Sequence, residues 1–303
     1  MTDIGFVGLG SMGAPMAARL LAGHRLYGTN RSPAKAGPLV EQGMVWRDTP
    51  REVAAAAQVV ISMVTDDTAL AAVTEGPDGI LAGLRPDAIY IDMSTVSPEA
   101  SRRLAERVEA LGASMLDAPV SGSVPVAEAG RLAIMVGGTE ETYLAASSLL
   151  HTLGSSVTHV GGHGQGLMLK LAINISLAAQ MLAFSEGLLL AERGGIDPAL
   201  AAHVMTASSI GSPMLQAREA LVLDPPPEAW FDMRLMHKDI RLSLQAARGA
   251  GIPLPATAAV DQVLDQAEDL GFGESDIASL YQMLAGAAAE TVAGGAAPGA
   301  PAA

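Results

Sequence analysis

Short apolar runs that stop at glycines or turn residues mark the first half of the chain, at residues 4–7, 26–29, 58–64, 88–93, 115–118 and 132–136. Runs of that length with such flanks fit buried strands. Gly28 makes the second run the weakest of them. Between the runs, residues 14–21, 50–57 and 98–111 carry apolar positions at helical spacing. Strands alternating with helices predict a parallel, doubly wound sheet.

The pattern changes near Gly161-Gly162-His163-Gly164. Beyond that point helical periodicity dominates and strand signals almost vanish. Residues 166–193 read as one long helix stopped by Gly194-Gly195. Further helices are predicted over 198–206, 213–221, 233–250, 256–270 and 277–291. The expected plan is an α/β domain over residues 1–162 followed by an all-α domain over 163–292. Residues 293–303 are expected to be a disordered tail, since from Gly294 onward only Gly, Ala and Pro occur.

Composition narrows the function classes. A chain of 303 residues favours two cores over one. Aromatics make up only 3%, so the cores must be built from Ala, Leu, Val, Ile and Met. A net charge of −14 argues against nucleic acid as a partner. The absence of cysteine removes disulfides, thiolate metal sites and cysteine nucleophiles, and suits a cytoplasmic enzyme. The first ten residues pass straight into a strand–turn pattern, so no signal peptide is expected. The most apolar stretch, 166–190, is interrupted by Lys170, Asn174, Gln180, Ser185 and Glu186, too polar a set for a good membrane span. The six histidines show no repeated ligand spacing, so no metal site is expected.

The first chemical signal is Gly8-Leu9-Gly10-Ser11-Met12-Gly13, which matches G-x-G-x-x-G between a predicted strand and a predicted helix. In that context the first glycine permits the tight turn. The second lets the backbone approach a pyrophosphate, and the third lets helix and strand pack closely. The helix N-terminus then favours the negative charge. A Rossmann-type dinucleotide site is the expectation. About 20 residues on, an acidic residue would bind the ribose 2′-hydroxyl of NAD. The chain instead has Asn30, Arg31 and Ser32, which favours the 2′-phosphate of NADP, with NAD possible.

The second signal is a scarcity. Only Lys35, Lys170 and Lys238 are lysines, and every other permanent cation is arginine. Arginine serves a solvated surface but does not give up its proton, whereas lysine can. Lys170 lies in an otherwise apolar helical run, one turn before Asn174, so the two share a face. By spacing alone, Lys170 is either a lysine that snorkels to solvent or a proton-transfer group.

Four motifs in order then resemble the β-hydroxyacid dehydrogenase family over nearly the whole chain. They are Phe6-Val7-Gly8-Leu9-Gly10-Ser11-Met12-Gly13, Asp117-Ala118-Pro119-Val120-Ser121-Gly122-Ser123, Gly164-Gln165-Gly166 with Lys170 and Asn174, and Lys238-Asp239. The resemblance implies that Lys170 is the general acid/base and that Asn174 holds the substrate beside it. It implies that Ser121, Gly122 and Ser123 bind the substrate carboxylate. It places Lys238 at the nicotinamide end with Asp239 fixing it. It also lines the cofactor with Met63, Val64, Thr65, Ser94 and Thr95.

The implied substrate is a small carboxylate-bearing aldehyde or hydroxyacid, and the implied assembly is a homodimer or homotetramer. Ser123 stands where many members have a second glycine. With Val124-Pro125-Val126-Ala127-Glu128 it is more similar to the glyoxylate/succinic semialdehyde branch than to the hydroxyisobutyrate branch. Two rival readings use the same architecture: an imine reductase or reductive aminase, which usually replaces the motif lysine, and a non-catalytic dinucleotide sensor.

Overall fold

The computed structural model describes residues 2–294, with side chains to residue 287. The expected tail thus falls almost wholly outside the described residues. The chain divides into two compact units, Met1–Ala172 and Ile173–Ala303.

Among the described residues the first unit holds nine strands: β1 (Asp3–Val7), β2 (Arg25–Thr29), β3 (Val45–Trp46), β4 (Val59–Ser62), β5 (Ile89–Asp92), β6 (Ser114–Asp117), β7 (Val120–Ser121), β8 (Leu132–Gly137) and β9 (Gly154–Gly161). Between them run α1 (Gly13–Leu21), α2 (Gly37–Glu41), α3 (Pro50–Ala56), α4 (Asp67–Thr74), α5 (Ile80–Gly83), α6 (Pro98–Glu109), α7 (Val124–Glu128) and α8 (Glu140–Leu153). The sheet order is β3-β2-β1-β4-β5-β6-β8-β7, with β9 on β8. Every link from β3 through β6 is parallel. Strand β8 is antiparallel to β6 and β7, and β9 returns parallel to β8.

Alternation along each strand builds two cores, as a doubly wound sheet requires. Ile4, Phe6, Ile61, Ile91 and Leu116 pack in one cluster with Met16 and Leu20 of α1. Val7, Val60, Tyr90 and Met115 pack in the other, with Val53 of α3 and Leu104 of α6. The helices start where side chains cap them. Thr49, Asp66, Ser97 and Thr139 each accept an N–H in the first turn of the helix that follows.

The sheet is the doubly wound, parallel-dominated one expected, with β8 running against β6 and β7. The two compact units divide after Ala172. The first turns of the next helix, α9 (Gln165–Arg193), are tied by hydrogen bonds to the end of β6, and so belong with the sheet.

The second unit is helical. It holds the remainder of α9, with α10 (Pro198–Ala207), α11 (Pro213–Leu223), α12 (Met233–Ala250), α13 (Pro255–Asp269) and α14 (Leu280–Gly294). Asp197, Ser212 and Asp232 cap α10, α11 and α12, and Gly251 ends α12 in the left-handed conformation. By length and apolarity α9 passes as a membrane span. Its Ala178, Met181, Phe184 and Leu188 are nonetheless core residues of this unit, packed with Met236 and Ile240 of α12.

Candidate active site

The sheet order reverses between β1 and β4, and in open α/β sheets that is where the strand ends part to admit a ligand. The glycine motif sits there. Gly8 takes φ +97°, and a Cβ on it would lie 2.2 Å from the Met63 carbonyl oxygen. A Cβ on Gly13 would lie 2.0 Å from the Gly8 carbonyl oxygen. A Cβ on Gly10 would meet nothing within 4 Å. Two glycines are thus required by the protein's own packing, while the third leaves open backbone at the start of α1. The amides of a first helical turn have no intrahelical acceptor. Open backbone with such amides fits a dinucleotide pyrophosphate.

The residues expected to flank that site gather at neighbouring strand ends. The Met63 N–H donates to the Val7 carbonyl (2.9 Å), which fixes the loop after β4 against β1. The Val64 N–H donates to the Ser94 hydroxyl (2.9 Å). Met63 and Val64 are half-buried and Thr65 is exposed; Ser94 is buried and Thr95 half-buried. Asn30 accepts the Leu9 N–H (3.0 Å) and donates to the Ser32 carbonyl (3.0 Å). Arg31 and Ser32 are exposed beside it, as are Ser11 and, in part, Met12.

One supporting network escaped the sequence reading. Asp92 is fully buried and accepts from the hydroxyls of Ser62 and Ser94, both at 2.7 Å, while Ser62 also meets the Tyr90 hydroxyl at 2.7 Å. Burial pushes the Asp92 carboxyl above its ordinary range, against the pull of the serine donors. The network holds Ser94, and through it Val64, in place. Its signal was an aspartate closing an otherwise apolar strand, in AIYIDM.

The second motif leaves β6 at Asp117 and continues into β7. Val120 and Ser121 pair with Ile134 and Ala133 of β8, which pins the backbone of the expected carboxylate site. Gly122 has φ +147°, a conformation that favours glycine. Ser121 and Ser123 are half-buried, and the Ser123 hydroxyl makes no capping bond to α7.

Lys170 is only 8% exposed, so it does not snorkel to solvent. Asn174, one turn along α9, is fully buried, and its side-chain amide donates to Asp239 at 2.6 Å. Asp239 also takes the Lys238 ammonium at 2.9 Å. The second unit therefore joins Asn174, Lys238 and Asp239 through one carboxylate.

A model of the NAD-binding domain of 6-phosphogluconate dehydrogenase matches residues 3–161. A model of the NAD-binding domain of NADP-dependent 3-hydroxyisobutyrate dehydrogenase matches residues 164–284. The 3-hydroxyisobutyrate dehydrogenase of Pseudomonas aeruginosa is 37% identical over 295 residues, covering 93% of this chain and 99% of the relative. The 2-hydroxy-3-oxopropionate reductase of Escherichia coli is 35% identical, covering 93% and 96%. The solved 3-hydroxyisobutyrate dehydrogenase of Mycobacterium tuberculosis, with L-serine, superposes with a TM-score of 0.82 at 32% identity, covering 94% of this chain and 99% of that one. Matches of that identity along nearly the full chain extend beyond the glycine loop to the residues around Lys170, and so the chain belongs to the β-hydroxyacid dehydrogenase family and is a nicotinamide-dependent oxidoreductase.

Proposed function

We propose that this enzyme interconverts a small carboxylate-bearing aldehyde or keto acid and its hydroxyacid, with NADP(H) as the preferred partner and Lys170 as the general acid/base. The observation that carries the reading is the burial of Lys170 on the face of α9 that also presents Asn174. The bound nicotinamide supplies or accepts the hydride. As a carbonyl is reduced, negative charge grows on its oxygen, and the Lys170 ammonium stabilises and protonates it. In the reverse direction the neutral amine takes the hydroxyl proton. Asn174, held by Asp239, orients the reacting group. Ser121, Gly122 and Ser123 bind the carboxylate through N–H and hydroxyl donors.

Substrates in the relatives' names fit such a site. Ser123 supports a substrate of the glyoxylate or succinic semialdehyde kind, since its hydroxyl is not spent on α7. Asn30 and Arg31 support NADPH over NADH, because no carboxylate follows β2 to repel a 2′-phosphate. The exposed Leu190, Ile196, Leu200 and Val204 support a homo-oligomer, and the lack of cysteine supports a cytoplasmic setting.

The test is oxidation of NADPH against a panel of semialdehydes, glyoxylate and cyclic imines, run beside Lys170→Ala. Turnover on a carboxylate-bearing carbonyl should fall by on the order of 10²- to 10⁴-fold in the variant while NADPH still binds. Near-normal turnover by Lys170→Ala, or turnover of imines alone, refutes the assignment. Equal kcat/KM with NADH refutes the cofactor preference.

A further inference from the structure

Asp117 opens the motif that leads to Ser121, yet it points the other way. Its carboxylate is fully buried. One oxygen accepts the Gly164 N–H at 2.7 Å, and the other accepts the Leu167 N–H at 3.0 Å. These donors lie just before and within the first turn of α9. Helix amides at that position have no acceptor of their own, and a carboxylate there also faces the positive end of the helix dipole. Asp117 is therefore a helix cap delivered from a strand, across 47 residues of sequence.

The surroundings are shaped around this tie. A Cβ on Gly137, the register partner of Asp117 on β8, would lie 2.4 Å from the carboxylate. A Cβ on Gly166 would lie 2.4 Å from the Met135 carbonyl and 2.9 Å from Asp117 Oδ2. Gly164 takes φ +82° to aim its N–H inward. Glycines of two separate segments thus make room for one carboxylate. The tie begins four residues before Ser121 and ends three residues before Lys170.

We propose that Asp117 is a positioning residue for the reaction: its carboxylate anchors the first turn of α9 and so fixes Lys170 relative to the turn formed by Ser121, Gly122 and Ser123. This rests on the reading of Lys170 as the acid/base. Asp117 touches no reacting atom. It acts through the backbone of α9, where a misplacement of the order of 1 Å costs catalysis heavily.

The charged groups facing the carboxylate are few. His163 lies beside it and is itself bonded to Glu109 of α6 at 3.0 Å. Arg102 of α6 packs over Gly164. Asp92 is the register partner on β5. From β8 the carboxylate meets Gly137. Burial pushes the Asp117 carboxyl up to about 6, although the two amides and His163 pull it down. The anchor is consequently at full strength only above that pH.

The test pairs Asp117→Asn with amide exchange on the wild-type enzyme. Asp117→Asn keeps the shape and loses the charge. It should fold and bind NADPH as wild type does, with kcat reduced on the order of 10- to 100-fold. The acid limb of the wild-type kcat profile, centred near pH 6, should disappear in the variant. In the wild type, exchange protection at the Gly164 and Leu167 amides, corrected for intrinsic rates, should rise from pH 5 to pH 7.5. A variant with wild-type kcat and an unchanged acid limb overturns the proposal. So does protection that stays constant with pH, which decides the matter if the variant does not fold. If Lys170→Ala turns over normally the acid/base reading fails instead, and the amide exchange still reports on the anchor.

Discussion

The backbone N–H of Leu9 donates to the side-chain oxygen of Asn30, 3.0 Å away across 21 residues of sequence. The bond couples the glycine loop to the end of β2, so the loop proposed to meet the pyrophosphate is held by the residue that precedes the turn proposed to bind the ribose. Removing it frees the loop from the end of β2. Asn30→Ala should weaken NADPH and NADH by similar factors, about 1 kcal/mol or roughly fivefold. Asn30→Asp keeps an acceptor for Leu9 and adds a negative charge, and should move the preference toward NADH. Fluorescence titration of both nucleotides checks this. An Asn30→Ala variant that loses affinity for NADPH alone would show that Asn30 reads the 2′-phosphate instead.

The three motif glycines should respond differently to a single methyl group. Gly13→Ala puts a Cβ 2.0 Å from the Gly8 carbonyl, and Gly8→Ala puts one 2.2 Å from the Met63 carbonyl at φ +97°. Both should lose at least about 3 kcal/mol of stability, whatever the cofactor does. Gly10→Ala meets no protein atom within 4 Å, so its thermal unfolding should match wild type while nucleotide affinity collapses. Gly10→Ala binding NADPH normally would mean the pyrophosphate does not approach that backbone.

The architecture was legible where the chain reports its own burial. Apolar runs located β1, β2, β4, β5, β6 and β8, and helical spacing located α9 and α12. The family was legible because four motifs occur in order. Strand β9 was missed because its sequence, GSSVTHVG, is polar and only Gly154 is fully buried, with register shifts where it joins β8. Strands β3 and β7 have two residues each, too few to show a period. Lys170 could not be told from a snorkelling lysine, because spacing gives a face but not its depth. The ties from Asp117 to α9 and from Asp239 to Asn174 join residues 47 to 65 positions apart, and one sequence carries no record of such pairing.

Asp239 holds two groups of the candidate site at once, the Asn174 amide at 2.6 Å and the Lys238 ammonium at 2.9 Å. Asp239 is 2% exposed, so water replaces it poorly. Asp239→Ala removes one acceptor from each group and should cost about 1–3 kcal/mol of stability together with most of kcat. Asp239→Asn keeps a single acceptor oxygen and should lie between. Denaturant unfolding and steady-state kinetics on the three proteins check the order. Equal kcat in all three would separate Asp239 from the chemistry.

Asp117 should make stability and activity respond to pH with opposite signs. Its carboxyl titrates at about 6 in the folded protein, above the roughly 3.9 of an unfolded aspartate. Between those values the folded state binds more protons than the unfolded state, so this group's contribution to stability falls as pH rises through the window and is level above it. The difference amounts to about 3 kcal/mol, as an order of magnitude. Asp117→Asn has no such proton to lose, and most other titrations cancel when the two proteins are compared. Urea unfolding should therefore show wild type losing ground to Asp117→Asn from pH 4 to pH 6 and holding a constant difference above. Over the upper part of that window the wild-type kcat should rise, because the ionised carboxylate is the form that anchors α9. A stability difference that does not vary with pH would mean that the Asp117 carboxyl titrates alike in the folded and unfolded chain, and the acid limb of kcat would then belong to another group.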